Sequence, residues 1–151
     1  HGDCAGTYPC GKVSDEAMDL IRVTQQSFFE GIRYAREGHR LGDISAAIQS
    51  YVESHGYSIV REYVGHGIGR TLHEAPEVPN FGTAGRGTRL LRGMTLAVEP
   101  MVNAGGAAIL NMADGWTVKT ADGKYSAHYE NTILITDGEP ELLTDATDSL
   151  V

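Results

Sequence analysis

An α+β fold is predicted, with helices packed on one face of a mostly antiparallel sheet. Three observations lead there. Two stretches of helical periodicity come before Gly56, several β-rich runs come after it, and Asp122-Gly123 makes a turn signal between two of those runs. Helices first and strands second is the layout in which helices cover one face of a sheet.

The first helix starts after Ser14. Its hydroxyl can accept from the free N–H groups of the first turn, and Asp15 and Glu16 suit the positive end of the helix dipole. Ala17, Ile21, Phe28, Ile32 and Ala35 recur near helical spacing, and Gly38 is the predicted stop. A second helix is expected from about Asp43 to His55, buried on Ile44, Ala47, Ile48, Tyr51 and Val52 and ended by Gly56. Beyond it, Ser58–Tyr63 reads as a strand and Gly65–Gly69 as a glycine-rich turn. Thr95–Glu99, Trp116–Thr120 and His128–Thr136 read as β-rich runs. Asp122-Gly123 lies between the last two, and Asp-Gly in that position is a strong hairpin signal.

The 151 residues suit one domain with a sizeable core. With 41% hydrophobic and 21% charged residues, the composition is that of a soluble globular protein. A net charge of −8 argues against nucleic acid as a partner, because phosphates need Lys and Arg to neutralise them. No apolar run is long enough to span a membrane and no signal-peptide pattern opens the sequence, so no membrane partner is expected. Cys4 and Cys10 form no Cys-x-x-Cys pair and are too few for a disulfide scaffold, so a reduced, cytoplasmic setting is the expectation. The sequence opens at His1, inside what reads as a strand or loop, and is expected to be a piece of a longer polypeptide.

Four polar residues stand out from their surroundings. Glu99 follows Leu96-Ala97-Val98, and Glu130 precedes Thr132-Ile133-Leu134-Ile135. Such contexts are usually buried, and a lone carboxylate is rarely buried without a partner. His66 lies between glycines just after a strand, and Asp3 sits beside a histidine and a glycine. Together they make an oxygen-rich set with one imidazole, which suits Mn²⁺, Fe²⁺, Co²⁺ or Zn²⁺ and not a thiolate site. Carboxylates that bridge allow two ions to sit roughly 3.5–4 Å apart and activate water. Each residue also has a plainer reading. Glu99 before Pro100 can end a strand, His66 can be a hydrogen-bonded core histidine, and Asp3 can be a turn residue. Spacing alone leaves both readings open. His73, a short way past His66, can donate to a substrate carbonyl near neutral pH or be a surface loop histidine. His1, His39 and His55 have no supporting context, and the last two read as exposed helix-end residues. Other chemistries lack their signatures. No Gly-Lys-Ser/Thr follows the glycines at 65–69, no Gly-x-Ser-x-Gly elbow is present, and Cys4 has no base near it in sequence.

The segments, taken together, resemble a known family. Arg61–Pro76, reading Arg-Glu-Tyr-Val-Gly-His-Gly-Ile-Gly-Arg-Thr-Leu-His-Glu-Ala-Pro, resembles the histidine motif of type I methionine aminopeptidases. Gly93–Asn103 looks like their glutamate-proline strand, and Asp114–Thr120 with Ser126–Thr132 looks like their last hairpin. His1-Gly2-Asp3 resembles their second aspartate motif. The likeness runs over nearly the whole sequence with the motifs in the family's order.

The resemblance implies the pita-bread fold, present in part, with residues 1–151 forming a single peptidase catalytic domain that lacks the N-terminal part. It implies a metal-dependent aminopeptidase that removes the initiator methionine from nascent proteins, with possible ribosome association following from that substrate. By motif, Asp3 and Glu130 would bridge two divalent ions (Co, Mn, Fe or Zn), while His66 and Glu99 would bind the first of them. Glu99 would also be the general base, His73 would contact the scissile carbonyl, and Leu72 and Trp116 would border the methionine pocket. The family's first aspartate ligand and a second substrate histidine would lie upstream of His1. One well-held ion is therefore expected here, and a face made for a missing half is expected to cause self-association. Asn131 stands where His is usual, His128 where Gln is usual, and Leu72 where an aromatic is common. The rival readings are a prolidase or aminopeptidase P, which share the glycine-histidine motif and both glutamates, and a non-catalytic binding module of the same fold.

Overall fold

The computed structural model describes residues 1–144. Helix α1 (Asp15–Ile32) begins where the sequence predicts, with the Ser14 hydroxyl accepting the N–H of Ala17 at 3.2 Å. It ends at Ile32, before the predicted stop. Gly38 belongs instead to the connection that follows, at φ +89°, where its N–H donates to the Leu90 carbonyl. Helix α2 (Leu41–Ser54) starts two residues earlier than expected because Asp43 reaches back, its carboxylate accepting the Arg40 N–H at 2.8 Å. Leu20, Val23, Phe28 and Ile32 of α1 and Ile44, Ile48 and Val52 of α2 are buried, while Ala47 and Tyr51 are half-buried.

The sheet is organised around one long strand, β9. In chain order the strands are β1 (Cys4–Gly6), β2 (Ser58–Ile59), β3 (Gly65–Gly67), β4 (Glu74–Val78), β5 (Thr95–Val98), β6 (Met101–Asn103), β7 (Ile109–Asn111), β8 (Val118–Thr120), β9 (Ser126–Leu134) and β10 (Glu141–Leu142). Along one edge of β9 run β5 and β6, with Val98 opposite Asn131 and Met101 opposite His128. Pro100, which has no N–H for the ladder, interrupts this edge, and Glu99 sits at the break. Along the other edge run β1 and β10, with Ala5 opposite Glu130 and Leu142 opposite Ile133. Strand β3 pairs with β5, β4 pairs with β3, and β2 pairs with β6, all antiparallel. Leu96, Val98, Val102 and Ile133 join the helix residues in one core. Tyr129 packs against Phe28 and Phe29 of α1, with ring centroids 5.3 and 6.0 Å apart. Because strand side chains alternate, His128 and Glu130 project from the face of β9 opposite the helices.

Three local expectations need correction. Gly65–Gly67 is a buried strand with partners on both sides, not a turn. A Cβ on Gly65 would run into the Ala97 carbonyl oxygen, and one on Gly67 into that of Ala75, so glycine here serves close approach of backbones. The strand expected over Ser58–Tyr63 pairs only at Ser58 and Ile59. Past Val60 the chain departs, and the Arg61 guanidinium lies over the Phe81 ring. The Asp122-Gly123 turn exists, with Gly123 at φ +72°, but it does not close a hairpin. Strand β8 pairs with β7 in a separate two-stranded ribbon, while β9 goes to the main sheet. The Asp122 carboxylate accepts from the N–H groups of Gly106 and Lys124, so the turn is tied to the loop between β6 and β7.

Candidate metal centre

Asp3, His66, Glu99 and Glu130 converge on the face of the sheet away from the helices. Asp3 lies at the mouth of β1, pinned to β9 by a reciprocal pair. Its N–H donates to the Thr132 hydroxyl and the hydroxyl donates to its carbonyl, both at 2.9 Å. His66 sits at the centre of β3, opposite Ala97. Glu99 is held at the Pro100 break, where the Asn80 amide donates to its carbonyl at 3.0 Å. Glu130 lies in the middle of β9 and is 5% exposed.

The side-chain geometry is consistent with a cation held in common. His66 Nε2 is 3.5 Å from a Glu99 carboxylate oxygen and 3.8 Å from one of Asp3. His66 Nδ1 is 2.9 Å from the Gly67 carbonyl, which can only accept. A hydrogen on Nδ1 satisfies that contact, and Nε2 is the ring nitrogen that faces the carboxylates. Two donors bound to one ion at about 2.0–2.2 Å stand roughly 3.0–3.6 Å apart, whereas an N–H···O bond wants about 2.7–3.2 Å. The observed separations fall at and just beyond the upper end of the first range and outside the second.

Further, Asp3, His66 and Glu130 offer donor atoms all within 4.8 Å of one another, and so do Glu99, His128 and Glu130. Glu130 Oε1 and His128 Nε2 are buried with no hydrogen-bond partner. Burial, then the Glu99 and Asp3 carboxylates, push the Glu130 carboxyl up to about 7, with His128 pulling the other way. Two unpaired buried polar atoms and crowded carboxylates are costly as they stand, and the donor set of oxygens and imidazoles suits a borderline divalent ion. The residues fit a metal.

Residues 1–137 match metallopeptidase family M24. The chain belongs to that family. M24 membership implies divalent metals, in keeping with the donors just described. The chain is similar to the methionine aminopeptidase of Clostridium perfringens, with 58% identity over 95% of this chain and 58% of that protein. It is similar in structure to the methionine aminopeptidase of Thermotoga maritima, at a TM-score of 0.93 and 49% identity over 95% of this chain and 58% of that one. The X-Pro aminopeptidase of Thermotoga maritima shares the fold at a TM-score of 0.71 and 18% identity, over 95% of this chain and 35% of that one. The M24 chain described here has the α+β pita-bread fold and spans a little over half the length of the methionine aminopeptidases it matches.

The other residues singled out from sequence fall in different places. The His73 ring is 4.3 Å from that of His66, on an exposed residue, so it meets the centre from the solvent side. Leu72 is 39% exposed beside it. Trp116 is 90% exposed in the turn of the β7–β8 ribbon, where Asp114 accepts its N–H. His39, read as exposed, is half-buried 3.5 Å from Asp43. Cys4 and Cys10 are free and exposed. Among the described residues no helix is long and apolar enough to cross a membrane. His128 was not singled out as a donor from sequence. Its spacing of two from Glu130 was the available signal, since residues so spaced share a strand face.

Proposed function

We propose that this chain carries the metal-binding residues of a methionine aminopeptidase, which removes the initiator methionine from nascent proteins by hydrolysis. The observation that supports it is the meeting of Asp3, His66, Glu99 and Glu130, from four separate segments, in a chain so similar to methionine aminopeptidases. On this reading residues 1–151 belong to a single catalytic domain acting in the cytoplasm, beside the ribosome where such substrates emerge. Asp3, His66, Glu99 and Glu130 would hold divalent metal, drawn from Mn, Fe, Co or Zn.

When bound, such ions bring the pKa of water towards neutrality and polarise a carbonyl. The chain's own groups do the rest. Glu99 takes a proton from the attacking water and passes it to the leaving amine nitrogen. His73, open to solvent beside His66, donates to the scissile carbonyl oxygen as negative charge develops there. Leu72 and Trp116, both exposed, border the methionine side chain.

Release of methionine from Met-Ala-Ser tests this reading, with Mn²⁺ or Co²⁺ supplied and with EDTA as control. Metal-dependent release, lost in His66→Ala, is the expected result. Faster cleavage of Ala-Pro than of Met-Ala would move the chain to the prolidase branch of the fold, and release unaffected by EDTA would remove the metal from the mechanism.

A further inference from the structure

We infer that His128, with Glu99 and Glu130, forms a second metal position inside this chain, next to the position built on His66. The inference rests on the metal-centre reading above and extends it to a residue that the motifs do not mark as a ligand.

Three observations carry it. His128 and Glu130 are two residues apart on β9 and so share a face, and Met101 opposite His128 places the Glu99-Pro100 break directly beside them. His128 Nε2 is 3.5 Å from one Glu99 oxygen and 3.8 Å from one Glu130 oxygen. These are the distances that His66 Nε2 keeps to Glu99 and Asp3, so the two imidazoles are disposed alike about the carboxylates. Finally, His128 Nε2 is buried and unpaired, and so is Oε1 of Glu130, whose side chain is 5% exposed.

A histidine placed here only to hold a carboxylate would close to hydrogen-bond distance, about 2.7–2.9 Å for a charged pair. His128 instead stops short of both glutamates, leaving room for an ion among three donors. Glu99 faces the two histidines with different oxygens, Oε1 to His66 and Oε2 to His128. Glu130 belongs to both donor groups. The glutamates are therefore shared, and each position has one imidazole of its own. The expectation of a single well-held ion followed from counting the family's ligands alone, and His128 supplies the donor that this count leaves out.

The test is a Mn²⁺ titration of the full 151-residue chain, followed by calorimetry and by electron paramagnetic resonance. The wild type is expected to take up two equivalents. The second equivalent should broaden the Mn²⁺ signal through coupling across the shared glutamates. His128→Gln and His128→Asn should each keep one equivalent and weaken the other at least tenfold, abolishing the broadening. The outer partners of a metal site already cost about 10–100-fold when lost. His66→Asn should keep the complementary equivalent. One uncoupled equivalent in the wild type, unchanged in both His128 variants, overturns the inference and leaves the His66 position standing. No uptake by the wild type overturns the metal-centre reading and the inference with it.

Discussion

Replacing Glu130 with Gln isolates what it costs to hold that carboxylate in the centre without a cation. Burial and the facing carboxylates raise the Glu130 carboxyl from 4.5 to about 7. The metal-free native chain thus keeps a proton on Glu130 at pH values where the unfolded chain has released it. Stability falls with rising pH wherever the native state binds more protons than the unfolded state. The contribution is therefore intact below about pH 4.5, is lost progressively up to about pH 7, and stays lost above. Each tenfold change in proton affinity is about 1.4 kcal/mol, which makes the whole effect about 3 kcal/mol. For a chain of this size that is a melting point lower by roughly 6–12 °C. Gln has no proton to lose, so the stability of Glu130→Gln relative to wild type should shift in favour of Gln by that amount between pH 4.5 and pH 8. Urea unfolding of both proteins in EDTA at pH 4.5, 6 and 8 measures it. A gap between the two that stays constant across that range refutes the reasoning. Adding Mn²⁺ should reverse the trend for the wild type alone, since the ion takes the place of the proton and binds only the folded chain.

Three further outcomes are expected. His73→Ala should lower kcat/KM on Met-Ala-Ser by about 10²–10³-fold, the usual loss for one oxyanion donor, with the Mn²⁺ stoichiometry unchanged; a lost equivalent would place His73 among the ligands. Phe28→Ala should cost about 3–5 kcal/mol in urea unfolding, because this side chain is fully buried against Phe29 and Tyr129. Gly67→Ala should cost about 1–3 kcal/mol, since its new methyl would stand 2.8 Å from the Ala75 carbonyl carbon, and backbone cannot swing aside. The same variant should weaken Mn²⁺ binding in calorimetry by displacing the neighbouring His66, and wild-type affinity in a destabilised Gly67→Ala would disprove that link.

What could be read from sequence was what depends on near neighbours. The Ser14 cap and the acids after it act within one helical turn, so the start of α1 was legible. Glu99 and Glu130 stood out as carboxylates beside apolar runs, whereas His66 and Asp3 were marked only by their glycine neighbours and by the resemblance of their motifs. The parts that were missed depend on partners far along the chain. Gly65 and Gly67 look like a turn until Ala97 and Ala75 are placed across from them. Glu74–Val78 pairs with β3 although it contains Pro76, which has no N–H to give a ladder. Asp122-Gly123 carries a local turn signal, but which strands its flanks join is settled by β7 on one side and by β1, β5, β6 and β10 on the other. The closeness of His128 to Glu99 escaped for the same reason. Its distance to Glu99 is fixed by the pairing of β6 and β9 and by the break at Pro100, which no short window contains.

The clasp between Asp3 and Thr132 joins positions 129 apart, and Glu130 lies just before the far side of it. During synthesis, His66 is made well before Glu130. At about 5–20 residues per second the interval is roughly 3–13 s. Until then the growing polypeptide lacks Glu130, the carboxylate common to both donor groups. On the proposed reading, full ion capture would follow the completion of β9, and a chain released ahead of it should bind Mn²⁺ more weakly than the whole one.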